Sequence, residues 1–310
     1  MTVKFRQAKK WPISVPRVLY MTNRDILHPM AQFATWHLGG VCIPISSSST
    51  QTEIEYFVKN SGADMIVCHS DFAKMFDTLQ NEINVPVFHL GDDEINLQTK
   101  SLLSRHAPVL NAKQDAMIIY TSGTTGNPKG VVHTHSSLEA MMTSMEQAWG
   151  WTKHDHICNI LPLHHVHGIM NVLNTSLWTG AQCTLIPKYD SRAVWDILLD
   201  EKDGVDLTVF MAVPAIYNKM IAHYEQDGMH ARAHDIKAKL KNLRLMVSGS
   251  SALPESSFNK WKEITGHTLL ERFGMTELGM ALTNPYIDIK SRLPGHVGSP
   301  FPGVKFAFLD

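Results

Sequence analysis

Short apolar runs alternate with amphipathic stretches along nearly the whole chain, and this alternation constrains its fold more than any other feature. "VCIPI" (41–45) reads as a buried strand followed by a "SSSST" loop. "QTEIEYFVKNSG" then shows helical spacing with a stop at Gly62, and "DMIVCHS" returns to strand character. "VPVFHL", "VDLTVFMAVP" and "LRLMVSGS" are further strand candidates, the last two running into a turn and a helix. Strands buried on both faces read as near-continuous apolar runs, and the helices between them make the crossovers. The pattern predicts an α/β fold with a mostly parallel, helix-covered sheet. It fades between Glu94 and Lys113, so a subdomain boundary is expected near 94–113.

A chain of 310 residues exceeds one ordinary core, which fits one large or two fused α/β units. With 44% hydrophobic and 18% charged residues it has the composition of a soluble globular protein. No stretch approaches the ~20 apolar residues that span a bilayer. Twenty-eight basic and 29 acidic residues nearly cancel, which argues against nucleic-acid binding by bulk charge. Cys42, Cys68, Cys158 and Cys183 form no CxxC pair and sit among apolar neighbours, as reduced core thiols do. The first 24 residues are basic and acid-free, but one serine and the Trp11–Pro12 break make a poor transit peptide.

The stretch "YTSGTTGNPKGVVHTH" (120–135) holds three glycines, five Ser/Thr hydroxyls and Lys129. Flexible loop, sharp turn and phosphate cradle all fit that composition. Phosphate binding is favoured, because glycines bring backbone N–H groups close to an anion while hydroxyls and a lysine add donors. The spacing is not that of the nucleotide P-loop. A helix is expected next, with Ser136 and Glu139 as a capping box, a Leu138/Met141/Met142/Met145/Trp149 stripe for packing, and Gly150 as its stop.

"YTSGTTGNPKG" resembles the phosphate loop of the adenylate-forming superfamily of acyl-CoA synthetases, luciferases and peptide-synthetase adenylation domains. "LPLHHVHG" (161–168) is similar to its acyl-pocket segment. "MVSGSSALP" (246–254) resembles the loop bordering adenine and acyl group, and "ERFGMTELG" (271–279) its nucleotide and magnesium segment. Four motifs in order make the resemblance specific, and it runs from about Met21 to the last residue. Within the superfamily, "FMAVPAIY", "WKEITGHTLLERFGMTELGMALTNP" and "RLPGHVGSPFPGV" read like malonyl-CoA synthetases, whose animal member is mitochondrial.

The resemblance implies roles for named residues. Thr121, Ser122, Gly123, Thr124, Thr125, Gly126 and Lys129 would grip the β- and γ-phosphates of ATP. Thr276 would bond the α-phosphate, and Glu277 would bind Mg²⁺, a hard cation suited to oxygen ligands. Phe273, standing where many relatives carry tyrosine, would stack on adenine beside Gly274 and Met275, with Gly249 and Ser250 bordering the nucleotide. His165 would wall the acyl pocket with Ser248, while His164 and His167 pack around it; metal ligation by the three histidines is rejected for want of a recognised ligand spacing. Arg292 would meet the second carboxylate of a dicarboxylate such as malonate.

The implied activity joins malonate, or methylmalonate, to coenzyme A through an acyl-adenylate, consuming ATP. The implied compartment is the mitochondrial matrix. A short- or medium-chain fatty acyl-CoA synthetase, a non-catalytic nucleotide- or acid-binding remnant and an inert interaction module are the alternatives. The resemblance further implies a ribose-binding aspartate, a hinge and a small lysine-bearing C-terminal domain. None is recognised before Asp310, so residues 1–310 are expected to be a partial adenylation domain, the large N-terminal part of the fold, and inactive alone.

Overall fold

In a computed structural model the described residues are 15–91, 111–122, 126–199 and 206–307. They divide into two compact units, one spanning 1–139 with 162–165, the other 140–161 with 166–310. The 94–113 interval falls within the span of the first unit, and its residues up to 110 lie outside the described ones.

The first unit is built on six strands: β1 (Arg17–Met21), β2 (Val41–Pro44), β3 (Met65–His69), β4 (Val87–Leu90), β5 (Asp115–Thr121) and β6 (Lys129–Thr134). Their order is β4-β3-β1-β2-β5-β6, parallel throughout except for β5 and β6. Leu19, Ile43, Ile66 and Cys68 of the sheet pack with Ile54, Phe57, Phe76 and Leu79 of the covering helices. The helix Gln51–Ser61 is closed at both ends by its own sequence. Thr50 and Glu53 form a capping box, and Gly62 takes the left-handed conformation at φ +62° that a side chain would resist.

The second unit is built on seven strands: β7 (His156–Asn159), β8 (Gln182–Leu185), β9 (Val209–Ala212), β10 (Leu245–Ser248), β11 (Leu270–Met275), β12 (Gly279–Thr283) and β13 (Ser299–Pro300). Their order is β13-β12-β11-β10-β9-β7-β8, with β8 to β11 parallel and β12 and β13 antiparallel. On one flank Trp261 stacks on Trp195 at 5.5 Å and meets Tyr217 edge-on at 4.8 Å, so three large rings close this core. The predicted mostly parallel, helix-covered architecture in two subdomains is the one observed.

Two local expectations are corrected. The segment after the Gly/Ser/Thr run is not loop leading straight into helix: Lys129–Thr134 is strand β6, antiparallel to β5. The cap of the following helix is Thr134, whose Oγ1 accepts from the Ser137 amide at 3.2 Å, so the helix starts at His135, ahead of the expected Ser136–Glu139 box. Gly150 ends it as expected, at φ +60°. A further element has no counterpart in the expectations. Residues His167–Asn174 form a wholly buried π-helix, and side-chain amides of Asn159 and Asn174 bond its carbonyls at Gly168 and Ile169. Such wide turns are rare and concentrate at functional sites.

Candidate functional site

In the first unit the residues expected to grip phosphate lie, as far as they are described, at the facing ends of β5 and β6. Thr121 ends β5, Ser122 follows it, Gly126 sits at φ +151°, and Lys129 opens β6 with its side chain exposed. Gly123, Thr124 and Thr125 lie outside the described residues. Both ends of the loop are pinned. Thr121 pairs with Lys129 across the ladder, and the Tyr56 hydroxyl donates to the Pro128 carbonyl at 2.8 Å. Gly130 is required here, because a Cβ would stand 2.9 Å from Ile118 and 3.3 Å from the Tyr120 ring. The described ends of the loop are therefore tethered, and they carry backbone N–H groups, the Thr121 and Ser122 hydroxyls and the Lys129 amine. A strand, not a helix N-terminus, follows the loop.

"LPLHHVHG" is divided, with 162–165 in the first unit and Val166 onward in the second. His165 is exposed, and its ring lies 4.3 Å from that of His164. His28 is buried, its Nδ1 2.8 Å from the Thr22 hydroxyl. Burial, then the neighbouring His164, pushes the His28 pKa down to about 3; burial, then His165 and Arg24, pushes that of His164 down to about 4. Both imidazoles are neutral in the folded chain, whereas in the unfolded chain they protonate near 6.5. Below that value the unfolded state binds more protons, so their contribution is complete above about pH 6.5 and is lost as pH falls toward 4 and then 3. Stability is expected to drop by up to roughly 1.4 kcal/mol per pH unit for each ring across that window. Urea midpoints at pH 7.5, 6 and 5 check this, and a midpoint that rises on acidification would contradict it.

In the second unit the candidates gather at the carboxyl ends of β10 and β11, where open α/β sheets place ligands. Ser248 ends β10, and Gly249 and Ser250 turn away from it, Ser250 in a strained left-handed conformation at φ +72°. The Ser250 hydroxyl lies 3.1 Å from Nδ1 of His167, the first residue of the π-helix. On neighbouring β11 run Phe273, Gly274 and Met275, and the tight turn to β12 carries Thr276 and the exposed Glu277.

Arg272 was not among the expected site residues, and it is the most distinctive group in this unit. The residue is 4% exposed, yet Nε and Nη2 have no hydrogen-bond partner in the protein. These two atoms form the side-on edge of the guanidinium, which takes a carboxylate in two parallel bonds. Glu271 next to it points to the opposite face of the strand and accepts from the Gly295 amide at 2.9 Å, so it does not neutralise Arg272. Burial lowers the Arg272 pKa to about 10. Among the described residues of this unit three further buried atoms lack a partner, Ser248 Oγ, His167 Nε2 and, away from these strand ends in sequence, Trp151 Nε1. The His167 pKa lies well below its usual range, through burial first and the charge of Arg272 second. Gly249 packs directly on the guanidinium, since a Cβ there would stand 2.4 Å from Arg272 Nε and 2.5 Å from Cζ. No sequence signal singled out Arg272: it becomes conspicuous only once the structure shows it as a charged residue inside a strand flanked on both sides by other strands, where apolar residues are the rule.

Arg292 is not brought together with this group. It donates through Nε to Pro285 O (2.9 Å), Nη1 to Thr268 O (2.8 Å) and Nη2 to Tyr286 O (2.6 Å). Thr268 lies before the start of β11 and seven residues from Met275 at its end. That places the Arg292 head on the order of 20 Å along the strand from the Thr276–Glu277 turn.

For magnesium, the described residues hold no cluster of three or more His, Cys, Asp or Glu side chains able to bind a metal. Glu277, a single hard-oxygen carboxylate open to approach, fits a cation that keeps waters and shares substrate phosphates, not one caged by protein.

The described ends of the Gly/Ser/Thr hairpin are tethered in one unit, and the other carries a glycine-faced buried arginine at its strand ends. Residues 15–310 match the sequence model of the AMP-binding enzyme family, and the chain belongs to that family. The mitochondrial malonate–CoA ligase ACSF3 of Xenopus laevis is 42% identical over 296 residues, 93% of this chain and 50% of its own length. The malonate–CoA ligase of Arabidopsis thaliana is 36% identical, over 90% of this chain and 48% of its own. Among solved structures, ATP-bound MatB of Rhodopseudomonas palustris superposes with a TM-score of 0.81 at 28% identity, covering 97% of this chain and 57% of MatB. A malonyl-CoA ligase in a ternary product complex with methylmalonyl-CoA and AMP gives a TM-score of 0.76 at 26% identity, over 95% of this chain and 60% of its own. The chain thus spans about half the length of the curated relatives it matches. No helix among the described residues is long and apolar enough to cross a membrane.

Proposed function

We propose that the chain supplies the nucleotide- and acid-binding machinery of an ATP-dependent acid–thiol ligase that activates malonate, with methylmalonate as a second acid. The observation that carries this reading is the unpartnered Nε/Nη2 edge of buried Arg272. A pocket for a hydrocarbon acid has no use for a desolvated cation, whereas a dicarboxylate keeps one charge that must be met when the other end reacts. In this reading Arg272, not Arg292, takes the free carboxylate, with Ser248 Oγ and neutral His167 Nε2 as additional polar contacts. The similar malonate–CoA ligases support the substrate class.

The other carboxylate of malonate attacks the α-phosphorus of ATP; the bond to the bridging oxygen breaks and pyrophosphate leaves, giving the acyl-adenylate. The sulfur of coenzyme A then attacks the acyl carbon and AMP departs, while the thiol proton goes to solvent. Thr121, Ser122, Gly126 and Lys129, with Gly123, Thr124 and Thr125, hold the β- and γ-phosphates against that charge build-up. Thr276 donates to the α-phosphate, Phe273 stacks on adenine with Gly274 and Met275 beside it, and Gly249 and Ser250 border the nucleotide. His165 walls the acyl side. Glu277 would hold Mg²⁺, which when bound supplies charge neutralisation on the phosphate oxygens. The mitochondrial matrix is the proposed compartment, following the mitochondrial relative.

Equilibrium dialysis of the purified chain with MgATP and labelled malonate tests the reading. Unlabelled malonate and methylmalonate should displace the label, and octanoate and acetate should not; displacement by octanoate as effective as by malonate would overturn it. Lys129→Ala should weaken ATP binding by about tenfold to a hundredfold, the worth of a charge-assisted bond. The thermal midpoint should hardly move, because an exposed lysine changes stability by less than about 0.5 kcal/mol. Unaltered ATP affinity would return the hairpin to a plain surface loop.

A further inference from the structure

The turn that carries Thr276 and Glu277 is held by little of its own backbone: beyond the bulge at Phe273/Gly274, Gly274 pairs with Met280 and Met275 with Gly279, and the Leu278 amide closes the turn on Met275 O at 3.3 Å. What fixes it comes from elsewhere in the second unit. Met280 lies across from Gly274, and a Cβ on Gly274 would stand 2.5 Å from the Met280 methyl and 3.0 Å from its sulfur. The thioether therefore lies flat over a residue that has no side chain to displace it. Its sulfur accepts from the side-chain amide of Asn171 at 3.2 Å, and both residues are buried, at 1% and 3% exposure. Asn171 belongs to the π-helix that His167 opens, so one rigid element holds both Ser250 and Met280. At the far side of the turn Gly279, at φ +72°, packs against Met141, with 2.7 Å between its would-be Cβ and Met141 Cγ.

We infer that Asn171 is a positioning residue: through Met280 and Gly274 it sets the aim of the Thr276–Glu277 turn, and so couples the acyl-side π-helix to the nucleotide side. A polar side chain buried in a helix and spent on a weak sulfur acceptor has no evident value for packing alone, since leucine would fill the space. Orientation of an otherwise loosely paired turn is the work it does. The nucleotide part of this inference rests on the function proposed above, whereas its structural part does not.

Two measurements decide it. With ¹³C-methyl methionine in the full chain, Asn171→Leu should shift the Met275 resonance at the turn as well as that of Met280. In MgATP titrations the same variant should raise the half-saturating Mg²⁺ concentration by about tenfold, the scale expected when a turn is mis-aimed by a fraction of an ångström. Binding of AMP without Mg²⁺, which meets Thr276 through its phosphate but makes no use of Glu277, should weaken by a smaller factor. Met280→Leu should reproduce both effects, and Asn171→Leu added to it should do nothing more. A Met275 resonance unmoved in Asn171→Leu overturns the inference. If the wild-type chain binds no MgATP, the proposed function fails, and the Met275 resonance still decides whether Asn171 sets the turn.

Discussion

Replacing Arg272 with methionine is expected to weaken malonate binding severely and, at the same time, to make the free chain more stable. The guanidinium is buried, two of its nitrogens have no partner, and the adjacent Glu271 faces away from it. A buried cation without a counter-charge is a standing cost, and apolar replacement of buried charge commonly gains about 1–4 kcal/mol. Losing the fork proposed to meet the free carboxylate should cost about 2–5 kcal/mol in binding, roughly 30-fold to several-thousand-fold in affinity. Arg292→Met should behave in the opposite way. Three carbonyls at Thr268, Pro285 and Tyr286 would lose their donor, so stability should fall by at least about 1–3 kcal/mol while malonate affinity stays near that of the parent. Urea unfolding and dialysis on the two variants separate a ligand-binding arginine from a structural one. A stabilised Arg292→Met that no longer binds malonate, beside a destabilised Arg272→Met that does, would restore Arg292 as the anion anchor.

That contrast also shows where sequence reasoning runs out. Both arginines read alike in the sequence, each near a recognisable motif; what separates them is where five N–H donors point, which is settled by chain segments up to 24 residues away. The local elements were far more legible. Strands β2, β3, β4, β9 and β10 fall inside the apolar runs that predict them, and Gly62 and Gly150 stop helices because only glycine enters the left-handed region without strain. β6 escaped because Lys129–Thr134 is short, half exposed, and gains strand character only by pairing with β5. The π-helix escaped because no periodicity marks it; its asparagines matter as bonding partners for freed carbonyls, a role visible only after folding. The phosphate hairpin was recognised by composition and resemblance, but its tether to Tyr56 is a contact across 72 positions.

Gly249→Ala should damage the acid site through Arg272 alone, and a double-mutant cycle can show this. Gly249 does not adopt a positive φ, so alanine meets no backbone objection at this position. In a compatible backbone, glycine to alanine ordinarily stabilises by about 0.4–1 kcal/mol by narrowing the unfolded ensemble. Here the new methyl would sit 2.4 Å from Arg272 Nε, 2.5 Å from Cζ and 2.9 Å from Cδ, about an ångström inside ordinary contact. The guanidinium must slide away, and crowding of this kind costs about 1–3 kcal/mol. Its carboxylate-binding edge moves with it, and a displacement of that size at a bidentate contact should lower malonate affinity by about a hundredfold. In an Arg272→Ala background the obstacle is gone, and the same Gly249→Ala change should be neutral or mildly stabilising. The coupling read from urea unfolding of the parent, both single variants and the double variant should therefore reach about 2 kcal/mol, far above the few tenths expected of independent sites. If the two changes instead add within those few tenths, Gly249 does not pack on the guanidinium, and the fork that the proposed function relies on is not held where the structure places it.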